Sequence, residues 1–287
     1  MKLLFATDLH GHARAYERLA ELALDEKVAA VLLGGDLFVY SRLAAPQLVE
    51  ADGPFRAFLE GLRRSSIAVL AIHGNMDRPA AVSRLHDFQQ KGLLRVLELQ
   101  PFRFACPGDR DDSVDLVGYP YVPPTPLRLK DYDRRDLATD TYAGSSPALV
   151  AGRDPLGELE ERTADYLNSL PSIEEDLARI PGTEFPFILI AHSPPWGGTL
   201  DQTNSGIHAG SQALRNWFEV RQPVLALHGH IHEAPDISGR WAERIHSTIA
   251  VNPGASTDDS LQAVLIDTST RPYRLWHSAR GPLDASE

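Results

Sequence analysis

Leu3-Leu4-Phe5-Ala6-Thr7-Asp8-Leu9-His10-Gly11 is a short apolar run that ends in a polar turn carrying Asp-x-His. Four apolar residues are too few for a helix and suit a buried strand, so Asp8 and His10 fall just past a strand's C-terminus. The same grammar recurs along the chain. Residues 28–33 run into Gly35-Asp36, 67–72 into Gly74-Asn75-Met76-Asp77, 187–191 into His192, and 224–227 into Gly229-His230-Ile231-His232. Between these runs, residues 13–26, 48–64, 79–90 and 211–221 repeat apolar positions at three and four, as Leu19, Leu22 and Ala23 do, and predict helices. Alternating strands and helices predict an α/β layered fold with partly parallel strands. In such folds the ligand site lies beyond the strand C-termini.

The pattern changes after His232. Residues 245–251, 261–267 and 273–277 read as successive strands without intervening helices, predicting a second, more antiparallel sheet edge. It also changes over 107–186, which holds Tyr119-Pro120-Tyr121-Val122-Pro123-Pro124, mixed charges and a helix predicted around 156–180. That stretch reads as an inserted accessory segment within a single domain spanning 1–287. Tyr119, Tyr121, Arg128, Arg134 and Arg135 are candidates for a cap that grips substrate, because guanidinium forks match phosphate oxygens. The alternative is a solvated lobe with scattered ion pairs.

The bulk properties narrow the function. A chain of 287 residues, 43% hydrophobic and 23% charged, has the composition of an ordinary globular domain. Its net charge of −11 argues against a general nucleic-acid surface, which needs a basic patch. A small phosphorylated substrate remains compatible, since bound cations can supply local positive charge. Cys106 is the one cysteine, which excludes an intrachain disulfide and a cysteine-based zinc site. The apolar stretch at residues 3–6 is too short for a signal peptide and no segment approaches a membrane span, so a cytoplasmic location is expected.

Taken singly, the polar strand ends are weak signals. An Asp after a strand accepts backbone N–H bonds in ordinary turns, and Gly-Asn alone can form a tight turn. His230-x-His232 is more specific, because alternate residues of an extended chain face the same way. Five such ends together gather oxygen and imidazole donors with no thiolate, a set suited to Mn²⁺, Fe or Zn²⁺.

The order Asp-x-His, Gly-Asp, Gly-Asn-x-Asp, His, Gly-His-x-His resembles the calcineurin-like metallophosphoesterase superfamily over nearly the whole chain apart from the insertion. Thr7-Asp8-Leu9-His10-Gly11, Ala191-His192-Ser193-Pro194-Pro195, Gly206-Ile207-His208-Ala209-Gly210-Ser211 and Asn252-Pro253-Gly254 are similar to its bacterial and archaeal small-phosphoesterase branch. The resemblance implies a four-layer αββα sandwich with two central mixed β-sheets. It also implies a hydrolase that uses two divalent ions, Mn²⁺ foremost, with Fe, Zn²⁺ or Ni²⁺ as alternatives. Carried over position by position, Asp8, His10 and His232 would hold one ion, and Asn75, His192 and His230 the other, with Asp36 bridging. Two ions about 3.5–4 Å apart would share the hydroxide that attacks phosphorus.

Met76 departs from the family pattern, in which many members carry at that position a His assigned to the leaving group. Methionine cannot transfer a proton, so a phosphodiester of a small molecule or nucleotide is the expected substrate. A phosphomonoesterase, a nuclease and a non-catalytic scaffold are the alternatives. His208, on the Gly-x-His-x-Gly-Ser loop, is the candidate replacement acid; its other reading is a turn or helix-cap residue. Asp77 is expected to orient its loop or a liganding His, His228 to serve the core or to support a ligand, and His12 to face solvent, while His73 is ambiguous.

Overall fold

Leu3 and Phe5 point to one side of the first strand, Leu4 and Ala6 to the other, and all four are fully buried. Period-two side chains buried on both faces require a layer on each side. The computed structural model, which describes residues 1–106, 109–144, 148–152, 159–183 and 186–283, supplies both layers. Its strands begin with β1 (Lys2–Ala6), β2 (Ala30–Gly34), β3 (Ala68–Ile72), β4 (Arg95–Val96), β5 (Phe102–Cys106) and β6 (Asp109–Tyr119). They continue with β7 (Ala148–Ala151), β8 (Leu159–Arg162), β9 (Phe187–Ala191), β10 (Leu225–Leu227), β11 (Ala242–Ile245) and β12 (Thr248–Val251). The last are β13 (Ala263–Asp267), β14 (Arg274–His277) and β15 (Gly281–Pro282). The helices are α1 (Ala13–Asp25), α2 (Ala44–Glu50), α3 (Arg56–Arg64), α4 (Pro79–Gln90), α5 (Ala164–Ser169), α6 (Ile173–Leu177), α7 (Gln212–Arg221) and α8 (Ala234–Ser238).

One sheet has the order β15-β14-β13-β1-β2-β3-β4 and the other β11-β12-β10-β9-β6-β5, with β7-β8 a separate hairpin. Strands β1 to β4 run parallel, as do β12, β10, β9 and β6, while the remaining strands of both sheets add antiparallel edges. Leu3, Phe5, Leu32, Leu70 and Ile72 meet Leu116, Ile188, Ile190, Leu227 and Val251 between the sheets. On the outer face of the first sheet, Leu4, Val31 and Val69 pack against Leu19, Phe55, Phe58 and Phe88 of the helices. On the outer face of the second, Val117, Leu189 and Ala226 pack against Ile173, Leu177, Leu214 and Phe218. The result is a four-layer αββα sandwich with two mixed sheets. Among the described residues no helix is long and apolar enough to cross a membrane.

Several sequence expectations are corrected. The helix expected from residue 48 starts at Ala44, because Pro46 is tolerated in a first turn, and Ala51–Phe55 forms a π-helical turn where Pro54 lacks an N–H to donate. Residues 245–251 are not one strand: His246, at φ 54°, and Ser247 form the turn between β11 and β12. The strands after β12 rejoin the first sheet beside β1 and do not extend the second. The helix expected around 156–180 is β8 followed by two short helices, with 156–158 outside the described residues. Pro171 ends the first helix, and Ser172 opens the second with a capping box closed by Glu175. Within 107–186, β6 is a central strand of the second sheet, so the accessory segment proper leaves the core at Pro120.

Asp136 anchors that segment. It accepts hydrogen bonds from Ser211 Oγ at 2.5 Å and from the backbone N–H of Gln212 at 2.6 Å, at the N-terminus of α7. Asp136→Ala should therefore lower stability by about 1–2 kcal/mol, the range for losing a helix cap, read as a lower urea midpoint. An unchanged midpoint would show that the cap contributes nothing.

Candidate metal centre

The loops that leave the strands keep pairing beyond the sheets. Asp8 N–H donates to Gly35 O at 3.0 Å, His10 N–H to Asp36 O at 3.0 Å, and Gly11 N–H to Leu37 O at 2.9 Å. In the second sheet, His192 N–H donates to Tyr119 O at 3.0 Å and Gly229 N–H to His192 O at 2.9 Å. Two bonds then join the sheets. His192 Nδ1 donates to Gly34 O at 2.8 Å, and His230 N–H donates to Asp8 Oδ2 at 3.0 Å.

At this seam Asp8, His10, Asp36 and His232 bring one donor atom each within 4.8 Å of one another. His232 Nε2 lies 3.0 Å from Asp8 Oδ1 and 3.1 Å from His10 Nε2. Two imidazole nitrogens facing each other share at most one proton, whereas a cation between them satisfies both lone pairs. Asp36 Oδ2 stands 3.9 Å from His10 Nε2 on one side and 3.4 Å from His192 Nε2 on the other. His192 Nε2 is also 3.2 Å from Asn75 Oδ1, and its ring lies 5.3 Å from that of His230. The Nδ1 bond to Gly34 O leaves Nε2 to act as the ligand atom. The donor set therefore fits divalent ions of the Mn²⁺, Fe and Zn²⁺ kind.

Electrostatics sharpen the picture. Burial alone would raise the Asp8 carboxyl, yet His232, by charge and hydrogen bond, with His192 and His10, holds it well below the ordinary range. Asp36 is lowered in the same way, chiefly by His192 against the effect of burial. Burial would depress His192, but Asp36 and Asp8 raise it to about 9. Burial, reinforced by His192, takes His230 down to about 3.

The backbone is unusual here. Asp8 (φ 51°), His10 (φ 44°), Asp36 (φ 49°) and His230 (φ 67°) all occupy the left-handed region. Asp and His tolerate it better than most residues, but each such residue is strained by about 1–2 kcal/mol. His230 and His232 therefore reach the centre from a bent chain, and the extended-strand argument for their spacing does not apply.

What over-determines this geometry is a set of residues largely invisible to motif reading. Asp77 accepts from the N–H groups of Leu37 (2.9 Å), Phe38 (3.1 Å) and Gly74 (2.8 Å), tying the loop after β2 to the loop after β3. Burial and the neighbouring Asp36 push its carboxyl up to about 7. Met76 N–H donates to Asp36 Oδ1 at 2.8 Å, while its carbonyl accepts from Gln47 Nε2 at 2.8 Å. Gln47 Oε1 in turn accepts from Arg78 N–H at 2.6 Å. Asp77 and Met76 were signalled by their place in Gly-Asn-x-Asp; a buried glutamine on a helix carries no sequence signature. Gly74 and Gly229 leave no room for a side chain, since a Cβ would collide with Asp36 at the first and with Asp8 and Thr7 at the second.

Residues 1–234 match the sequence model of the family described as calcineurin-like phosphoesterase. The chain belongs to the calcineurin-like phosphoesterase family. Among solved structures, TT1561 of Thermus thermophilus is similar at a TM-score of 0.55 and 15% identity, over 96% of this chain and 98% of that one. A dimetal phosphatase from Danio rerio is similar at a TM-score of 0.51 and 11% identity, over 98% and 96% of the two chains. At these identities the likeness is one of fold. It agrees with the two-sheet sandwich of this calcineurin-like phosphoesterase.

The other sequence candidates divide. His208 makes no hydrogen bond to the seven ligand candidates; its Nδ1 lies 2.7 Å from Asp201 Oδ1, and the buried Asp201 also accepts from the N–H groups of Gly197, Gly198 and Gly210. The cap of α7 is Ser211, so His208 does not serve that role. His228 is fully buried, bonds Ala191 O and packs on Phe218, a core position. His12 faces Asp258 at 3.4 Å. The ring of His73 lies tilted against that of Tyr132, with centroids 4.1 Å apart. Of the expected cap, Tyr119 is fully buried and bonded to Asp176, Arg128 pairs with Glu161, and Arg135 is taken up by the carbonyls of Ala138, Asp140 and Leu170. Tyr119 is thereby withdrawn from the surface, and both arginines are engaged within the segment.

Two outcomes are expected of the calcineurin-like centre. Gly74→Ala should weaken Mn²⁺ affinity about 10–100-fold, the usual effect of disturbing groups that orient metal ligands, and titration calorimetry with an unchanged melting profile as control would read it. Affinity should also depend on pH. In the metal-free protein His192 keeps its proton up to about pH 9, held there by Asp36 and Asp8 against the effect of burial. An ion must displace that proton, so apparent affinity should rise from pH 6 to 9, about tenfold per unit for one proton released. Calorimetry in two buffers of different ionisation heat measures the release; affinity flat in pH would remove His192 from the ligand set.

Proposed function

We propose that the protein hydrolyses phosphodiester bonds of small molecules or nucleotides with the help of two divalent ions, Mn²⁺ foremost. The observation that supports this most is the convergence of Asp8, His10, Asp36 and His232 within 4.8 Å, flanked through Asp36 by His192. In this reading Asp8, His10 and His232 would hold one ion and Asn75, His192 and His230 the other, with Asp36 available to both. Bound there, divalent ions would supply Lewis acidity toward the phosphoryl group and toward water. The membership in a phosphoesterase family and the fold shared with a dimetal phosphatase are in keeping with it. A small substrate needs no basic surface, which suits a net charge of −11, and a cytoplasmic location is part of the same proposal.

The preference for diesters rests on Met76. Its side chain is buried, with Sδ 3.3 Å from Asn75 Nδ2, so it packs the Asn75 ligand and offers no proton. His208 is proposed as the donor to the leaving group. The buried Asp201 fixes its Nδ1, which presents Nε2 outward from a side chain one-third exposed. Asn252 Nδ2 binds both Leu200 O and Ile231 O at 3.0 Å, which holds the Asp201 loop against the His230–His232 turn.

The test is a Mn²⁺-loaded assay on bis(p-nitrophenyl) phosphate, p-nitrophenyl phosphate and a nucleoside alkyl diester. The diesters should be hydrolysed faster than the monoester, and Asp36→Asn should abolish turnover while leaving the fold intact. Met76→His should gain monoesterase activity. His208→Gln should slow the alkyl diester about 10²-fold or more and the p-nitrophenyl ester little, because only the poor leaving group needs a proton. Metal-loaded protein inert toward every ester would sink the reading.

A further inference from the structure

Arg134, in the accessory segment, is held by no ion pair among the described residues. Arg78 pairs with Asp131 at 2.6 Å, Arg128 with Glu161 at 3.3 Å, and Arg135 lies 3.6 Å from Glu175. Arg134 differs from all of them. Its Nη1 donates to the carbonyls of Asp131 (3.4 Å) and Asp133 (2.8 Å), and its guanidinium stacks 4.1 Å above the ring of Tyr121. Among the described residues no carboxylate lies within ion-pair distance of it, although Asp131 and Asp176 stand near enough for its charge to favour their ionised forms, and neither Nε nor Nη2 makes a hydrogen bond. In a chain of net charge −11, such a cation is conspicuous.

Its position follows from the strands. Tyr119 ends β6 beside Ala191 at the end of β9, and its carbonyl accepts from His192 N–H. Tyr121 therefore leaves the sheet at the edge where His192 enters the metal centre. The ring of Tyr121 meets His73 edge-on at 6.1 Å, and His73 directly precedes Gly74-Asn75. Tyr132 closes the group, 4.1 Å from His73 and 6.2 Å from Tyr121. One ring thus separates the guanidinium from the Asn75 loop. The backbone holds the segment in register, with Val122 N–H donating to Tyr132 O and Arg134 N–H to Val122 O. The rings pack edge-on or tilted against one another and Arg134 lies over Tyr121, so the group positions the cation.

We propose that Arg134, held by Tyr121, is a second anion subsite that selects substrates bearing a further phosphate beyond the scissile one. A fork with two free N–H edges, anchored by stacking and by carbonyls, suits phosphate oxygens, and its rigidity limits the entropy lost on binding. The inference rests on the phosphoesterase reading above, and it names the substrate class for that site.

The experiment compares binding of thymidine 5′-monophosphate with thymidine 3′,5′-bisphosphate and thymidine 5′-diphosphate to the Mn²⁺-loaded protein by calorimetry. Hydrolysis of thymidine 5′-(p-nitrophenyl phosphate) is followed separately. At least one probe with two phosphates should bind about tenfold tighter than the monophosphate, the scale of one charge-assisted contact. Arg134→Gln should erase that preference while kcat on the p-nitrophenyl ester stays within about twofold. Arg134→Lys should restore part of it, having the charge without the stacked fork. Equal affinities in the wild type, or a preference that survives Arg134→Gln, overturns the proposal. Retained preference without any hydrolysis counts against the phosphoesterase reading alone. Because each variant is compared with itself across probes, partial unfolding does not mimic the result.

Discussion

Two carboxylates, Asp8 and Asp36, stand buried at the tips of adjacent parallel strands, and their charged partners among the described residues are histidines. A buried carboxylate without compensation is expensive, by several kcal/mol after relaxation. Everything near these two groups can be understood as a response to that expense. His10, His192 and His232 crowd the oxygens, and the backbone N–H groups of Met76 and His230 and the Thr7 hydroxyl donate to them. Such a cluster of anions and imidazoles is balanced most simply by divalent cations.

The same requirement explains where strain is tolerated. Four ligand candidates hold left-handed backbone angles, which an isolated loop would relax. They persist because each loop is fastened at its back. Asp77 clasps the turns after β2 and β3, Gln47 reaches from α2 to the Met76 carbonyl, and Asn252 gathers the turn that carries His230. The supporting residues are buried, neutral or internally bonded.

Much of this was legible in the chain itself, for definable reasons. Strands such as Leu3–Ala6 announce themselves because both faces are buried, which compresses the signal into an uninterrupted apolar run. The ligand candidates follow because they sit where those runs stop. Legibility failed where structure depends on distant partners. Nothing local to Gln47, Asp136 or Asp201 says which backbone groups they will satisfy. The 156–180 stretch misled because its apolar spacing resembles one helix, while Pro171 and the Ser172 capping box divide it. The expected phosphate-gripping cap shrank for the same kind of reason, since Arg128 and Arg135 find partners within the segment, and residue type alone does not reveal that.

Strands β6 and β9 are parallel neighbours, so the chain between them must travel from one end of the sheet to the other. The accessory segment is therefore an enlarged crossover, with α6 covering the sheet as any crossover helix would. Its opening residues leave beside the ligand candidates, and β9, into which it leads, starts at the opposite end of the sheet. Closing a longer loop costs only about 0.6 kcal/mol per doubling, so this connection can lengthen or change composition with little penalty to the sandwich. Diversification of substrate choice in this architecture would then concentrate in the first third of one connection, upstream of the helix that the topology cannot do without.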